Sequence, residues 1–242
     1  MNRLLEAETK SRRTFKPKPI VAEPSNGKAT GRPELREAIT IPAPNIQTAI
    51  FKIVGTSPYM QARFAHKAMI AMQEKQMAGS VANKGTKRKA RDFDADYEAA
   101  KHLSSEGWCG IPAGAFRTAM ISACRVIGFK MTVAKLCLFV AADGYDSIDS
   151  TPLVRINGKV EKNIGPVRNA TGVCDLRARP LWKEWWCDLR VQFDADQFTV
   201  TDVANLVARV GIAVGVGECR HDSKQSTGTG FGCFRIDNSE VK

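Results

Sequence analysis

The feature that most constrains this chain lies near its end, where Gly211, Gly215 and Gly217, then Gly228, Gly230 and Gly232, crowd one short stretch. No long helix or strand tolerates that density, because each glycine loses the most backbone entropy on ordering and has no side chain to pack. The stretch reads as a loop, entered by an apolar helix-like run from Val203 to Val210 and left by an alternating strand-like run from Phe231 to Ile236. Two uses fit it. One is a phosphate cradle, in which backbone N–H groups around Gly215, Gly217, Gly228 and Gly230 are flanked by Arg220, Lys224 and Arg235. The other is a plain hairpin with wide turns.

Charge favours an anionic partner. The 242-residue chain carries 36 Lys and Arg against 25 Asp and Glu, a net charge of +11. That balance puts nucleic acid first, a membrane surface second and an acidic protein third. No apolar run approaches the roughly 20 residues that span a bilayer, and the charged N-terminus is unlike a signal peptide, so a cytoplasmic protein without a membrane partner is expected. The seven cysteines include no CxxC pair, and His66, His102 and His221 are scattered, so no metal and no cofactor is expected.

Residues 1–40 are polar, basic and interrupted by Pro17, Pro19, Pro24 and Pro33. They read as an extended arm on a neighbouring subunit or on nucleic acid, or as disorder. Residues 41–242 read as one domain with insertions near 80–107 and 143–173. A strand is expected over Ala49–Val54 and a helix from about Tyr59 to Ala78, carrying Met60, Phe64, Met69, Met72 and Met77. The basic run with Lys87, Arg88, Lys89 and Arg91 is a solvated loop or a phosphate contact, and the acidic segment Asp92 to Glu98 folds back on it.

A second helix is expected from Pro112 through Ile127, with Phe116, Ala119, Met120, Ala123 and Val126 inward and Arg117 and Arg125 near one face. Leu136–Ala142 reads as a strand, 143–173 as hairpins, and Cys187–Phe193 as a half-buried strand. Thr201 or Asp202 would cap the last helix. Arg168, Arg177 and Arg179 form a second basic cluster beside Trp182, Trp185 and Trp186. Arginine interleaved with tryptophan suits single-stranded nucleic acid, pairing with phosphates while rings stack on bases. Alternation along the strand puts one of Trp185 and Trp186 in the core and leaves Trp182 the more open ring.

The order of elements is α+β and compatible with an RRM-like or ferredoxin-like core bearing helical and hairpin insertions. Three stretches resemble the RAMP superfamily, whose members form the guide-RNA-binding backbone of CRISPR effector complexes. They are Ile53-Val54-Gly55-Thr56-Ser57-Pro58, Ile111-Pro112-Ala113-Gly114-Ala115-Phe116-Arg117-Thr118-Ala119, and the glycine loop from Gly215 through Gly232. Glu218 within that loop departs from the family pattern, as does the basic arm. The set is also similar to small RAMP-like proteins carried by bacteriophages.

The resemblance implies an RRM-like palm with a finger or thumb and head-to-tail homo-oligomers along single-stranded RNA. Family members that cleave target RNA use an aspartate after the first strand; Thr56–Arg63 contains no carboxylate, and His66 has no second catalytic partner by spacing. A non-catalytic protein coating single-stranded RNA, or single-stranded DNA, is therefore expected. The alternatives are a phage factor that engages or mimics a host effector subunit, and a single-strand DNA annealing protein.

Overall fold

The computed structural model describes residues 41–64, 69–70, 73–74, 77, 91–168, 174–222 and 228–237, with backbone only at 167–168. The chain divides into Met1–Pro42 and Ala43–Lys242, and every element below lies in the second unit.

The architecture is α+β, with every strand pairing antiparallel among the described residues. A four-stranded sheet holds β1 (Ile46–Gly55), β4 (Leu138–Val140), β9 (Trp186–Asp194) and β10 (Phe234–Ile236), in the spatial order β10-β1-β9-β4. Along the chain these are the first, second, third and fourth strands of the sheet, so the order across it is fourth, first, third, second. Each member of a parallel pair is separated from its mate by an antiparallel strand. The crossover from β1 to β4 carries α2 (Ala113–Ala123), and that from β9 to β10 carries α4 (Val200–Arg209).

Both helices cover one face of this sheet. Strand side chains alternate between faces, and Phe51, Ile53, Cys187, Leu189, Val191, Phe193, Leu138 and Phe234 all point into one core with Phe116 and Met120 of α2 and Val203, Leu206 and Val207 of α4. Thr199 caps α4 by a reciprocal box, its hydroxyl accepting from the Asp202 amide at 3.1 Å while the Asp202 carboxylate accepts from the Thr199 amide at 2.9 Å. The cap is thus Thr199, with Asp202 at the third helical position, rather than Thr201 or Asp202 themselves. A π-helical turn, Val210–Val214, continues α4 into the glycine loop.

Two smaller sheets flank the large one. The first pairs β2 (Tyr59–Met60) with the long hairpin β7 (Val160–Arg168) and β8 (Cys174–Trp182), in the order β2-β8-β7. Helix α1 (Phe93–Ala99), capped by the Asp92 carboxylate, packs on β8. The second joins β3 (Gly110–Pro112), β6 (Pro152–Arg155) and β5 (Gly144–Tyr145). The fourth described helix, α3 (Met131–Cys137), precedes β4. No helix among the described residues is long and apolar enough to cross a membrane.

Four expectations are corrected. Tyr59 and Met60 are strand rather than helix, because β8 offers them ladder partners in Trp182 and Leu181. The rest of the helix expected to Ala78 falls largely outside the described residues, although Met69, Ile70, Gln73, Glu74 and Met77 are helical. Helix α2 loses regularity after Ala123 and its turn closes at Gly128, whose φ of 69° lets the Phe129 amide reach back to the Cys124 carbonyl at 3.1 Å. Val126 therefore lies beyond the packed face and is 66% exposed. Leu136 and Cys137 belong to α3 instead of a strand, since Arg117 supplies donors to the Lys135 and Leu138 carbonyls at the helix end. The expected closing strand begins at Phe234, Phe231 and Gly232 forming a turn.

Candidate nucleic-acid interface

The glycine loop is held in place chiefly by its own backbone. The amides of Gly215, Val216, Glu218, Phe231 and Gly232 donate to the carbonyls of Val210, Gly232, Met60, Cys219 and Pro58 at 2.7–3.2 Å. The Cys233 amide donates to the Ser57 hydroxyl, which donates to the Gly230 carbonyl. At Gly217, φ is 83° and a Cβ would sit 2.5 Å from the Met60 carbonyl oxygen and from the Tyr59 ring. Glycine there serves close backbone packing, and the donors named above are spent within the fold. Gly215, Gly228 and Gly230 also turn at positive φ.

The loop does meet the entry of α2. Gly114, Ala115, Thr118 and Ser122 on the helix face Gly217, Arg220 and Asp222 across a cleft of about 340 Å³. Arg220 donates to the Gly217 carbonyl at 3.0 Å. Arg125 lies 2.5 Å from Asp222, whose carboxyl is pushed up by burial but held below the usual range by bonds from Arg125 and Ser122. Arg117 turns away, its guanidinium 5.2 Å from the Phe139 ring, so the two arginines expected on one face part company.

The second basic cluster is similarly engaged. Arg179 pairs with Glu218 at 2.7 Å, which gives the carboxylate in the glycine loop its role: it ties the loop to the β7–β8 hairpin. Arg177 lies 3.7 Å from Asp175. Arg91 bonds Asp96 and Asp175, both at 2.7 Å, and those bonds raise its pKa. The acidic segment thus folds back on Arg91 as expected; Lys87, Arg88, Lys89, Lys224 and His66 lie outside the described residues, as does the side chain of Arg168. Exposed pairs of this kind contribute only about 0–1 kcal/mol, so a phosphate can compete for Arg125 at little cost.

Trp182 is a correction. It is 1% exposed, its ring tilted against that of Tyr59 at 5.5 Å, because β8 alternates and turns Ala178, Pro180 and Trp182 inward. Trp185 is also core, its indole donating to the Ser57 carbonyl at 2.9 Å. Trp186, 41% exposed, is the ring that reaches solvent.

It stands on the face of the four-stranded sheet opposite the helices. There the outward residues of β1 are Ile50, Lys52 and Val54; those of β9 are Trp186, Asp188, Arg190 and Gln192; β4 adds Phe139 and β10 adds Arg235. Ile50 is 66% and Phe139 39% exposed. The Lys52 ammonium lies 5.8 Å from the Trp186 ring. At one end of this face a second cleft, of about 370 Å³, opens between Trp186 and Trp108 and is walled by Arg155, Asn157, Asp188 and Arg190. Arg190 bonds Asp143, and the Arg155 guanidinium lies 5.9 Å from the Trp108 ring. Exposed aromatics beside cations on an uncovered sheet are an arrangement on which bases stack.

Behind the small sheet lies a buried ionic cluster. Asp146 accepts from Arg63 at 2.9 Å and contacts the His102 Nδ1 at 2.9 Å, with Asp149 3.1 Å from Arg63. It anchors the 146–151 turn, where the Asp146 carboxylate also accepts from the Ile148 amide. Burial pushes the thiols of Cys109, Cys124, Cys137 and Cys187 up, which keeps them protonated at neutral pH. No family model and no curated protein matches this chain.

Proposed function

We infer that this chain is a single-stranded nucleic-acid-binding protein, with RNA the first choice of ligand, and that its core is RRM-like. The observation that carries this reading is the sheet face that no described element covers, where Trp186, Phe139 and Ile50 lie among Lys52, Arg190 and Arg235. The strand order, with both helical crossovers on one face, is that of a split β-α-β-β-α-β core and supports the fold assignment. On the RAMP-like reading, copies assemble head to tail along the strand. The outer edge of β7, and of β1 before Ile53, carries no partner strand among the described residues, as an open assembly requires.

Fluorescence anisotropy with labelled oligonucleotides of about 12 nucleotides, longer than the two or three bases that such a sheet stacks, tests the reading. Single strands bind, affinity falls steeply with salt, and Trp186→Ala with Phe139→Ala weakens it. Binding confined to duplex, or insensitive to salt, overturns it. Light scattering with and without RNA tests the assembly.

A further inference from the structure

We propose that the cleft between Trp186 and Trp108 is a pocket for one guanine base, so that the sheet reads sequence at this point. This inference rests on the single-strand reading above. Trp186, Asp188 and Arg190 follow one another at every second residue of β9 and so project from the same face, about 7 Å apart. A base stacked on Trp186 brings its edge over Asp188 and its phosphate toward Arg190. Trp108 forms the opposite wall with the Arg155 guanidinium beside it, and its ring is fixed from behind: a Cβ on Gly144 would meet it at 2.8 Å. Lys52, opposite Asp188 in the β1–β9 ladder, holds its ammonium 5.8 Å from the Trp186 ring and so borders the stacking platform on its β1 side.

The choice of base follows from Asp188. Its carboxylate has no hydrogen-bond or ion-pair partner among the described residues, whereas the other cleft carboxylates are occupied: Glu106 accepts from the Trp108 indole at 3.0 Å and Asp143 from Arg190 and the Arg155 amide. A carboxylate only accepts. Guanine alone presents two adjacent donors, N1–H and the N2 amino group, on its Watson–Crick edge. Cytosine and adenine set an acceptor beside their amino group, and uracil flanks its single N–H with two carbonyls, so each sets a lone pair against the second carboxylate oxygen.

The test compares oligouridine with oligouridine carrying one central guanosine, cytidine or adenosine. The wild-type protein binds the guanosine strand about tenfold more tightly than the others, as a good bidentate contact implies. Asp188→Asn replaces one acceptor by a donor, so the guanosine preference disappears and the cytidine and adenosine strands gain. Equal affinity of the wild type for all four strands, or a guanosine preference unchanged in D188N, overturns the pocket while leaving the single-strand reading intact. If no strand of RNA or DNA binds, quenching of tryptophan fluorescence by guanosine monophosphate decides. Quenching weakened by D188N supports the pocket as a site for a free nucleotide and sinks the single-strand reading; absence of quenching overturns both.

Discussion

The cleft beside the glycine loop and the cleft on the open sheet face enclose about 340 and 370 Å³, but their walls are of opposite kinds. The first is walled by small residues of α2 and by Gly217, Arg220 and Asp222, and its charged groups already serve the fold: Arg220 donates to the Gly217 carbonyl and Asp222 accepts from Arg125. The second is made of aromatic rings and a carboxylate that has no partner among the described residues. Glycine density reports how closely two pieces of chain approach. Whether a site exists depends on which groups are left over once the fold has satisfied its own, and on the sheet face, among the described residues, those are Trp186 and Asp188.

Two tryptophans four positions apart give the sharpest way to break that contrast. Trp182→Ala empties a core position and is expected to cost about 3–5 kcal/mol, read as a lowered urea midpoint. Gly217→Ala forces a side chain at positive φ against the Met60 carbonyl, at a cost of roughly 3 kcal/mol, or about 10 °C in Tm. If G217A instead melts like the wild type and only loses RNA, the loop is a ligand cradle and the contrast fails. Trp186→Ala is expected to leave stability within about 0.5 kcal/mol while weakening single-strand binding by about 1–3 kcal/mol, the worth of one stacked base.

Smaller effects sharpen the picture. Glu218→Gln weakens a part-buried charged hydrogen bond, so stability falls by about 1–3 kcal/mol; release of Arg179 then strengthens RNA binding at low salt. For pH, burial raises the Asp149 carboxyl, but bonds from Thr151 and Arg63 outweigh it and hold the group at about 2. A depressed folded-state pKa gives stability that is complete above the unfolded value of about 4 and is lost as pH falls from there through the folded one. Acid titration followed by amide exchange at Ile148 and Thr151 should show that turn loosening between about pH 4 and 2, and Asp149→Asn should remove the step.

Much of the scaffold was legible because long alternating strands state their own faces: Phe51 and Ile53 in β1, and Cys187 to Phe193 in β9, place one of two adjacent tryptophans inside and the other outside. Strand β8 was not legible. Its inward residues include Ala178 and Pro180, too small or too unusual in strands to raise a period-two signal, so Trp182 looked open. Leu136–Ala142 is a short apolar run that suits helix or strand equally, and the Arg117 bonds that decide it come from another element. The partners of the arginines were not legible for a related reason. Arg125 meets Asp222, Arg179 meets Glu218 and Arg91 meets Asp175 only after folding, and residue spacing carries no trace of those pairs. The candidate face itself had one visible mark, the Trp185-Trp186 pair at the start of an alternating run.

That alternation has a consequence for how this protein can vary over evolution. Odd positions of β9 hold the core and even positions carry the exposed groups, so the two sets are printed in interleaved columns of one text. A single substitution in either column is a local change. Deleting one residue within the strand transposes the columns on one side of the cut, sending Trp186 inward or an aliphatic residue outward. Length changes are therefore confined to the connections between elements, and relatives of this chain should differ there in length while keeping β9 in phase.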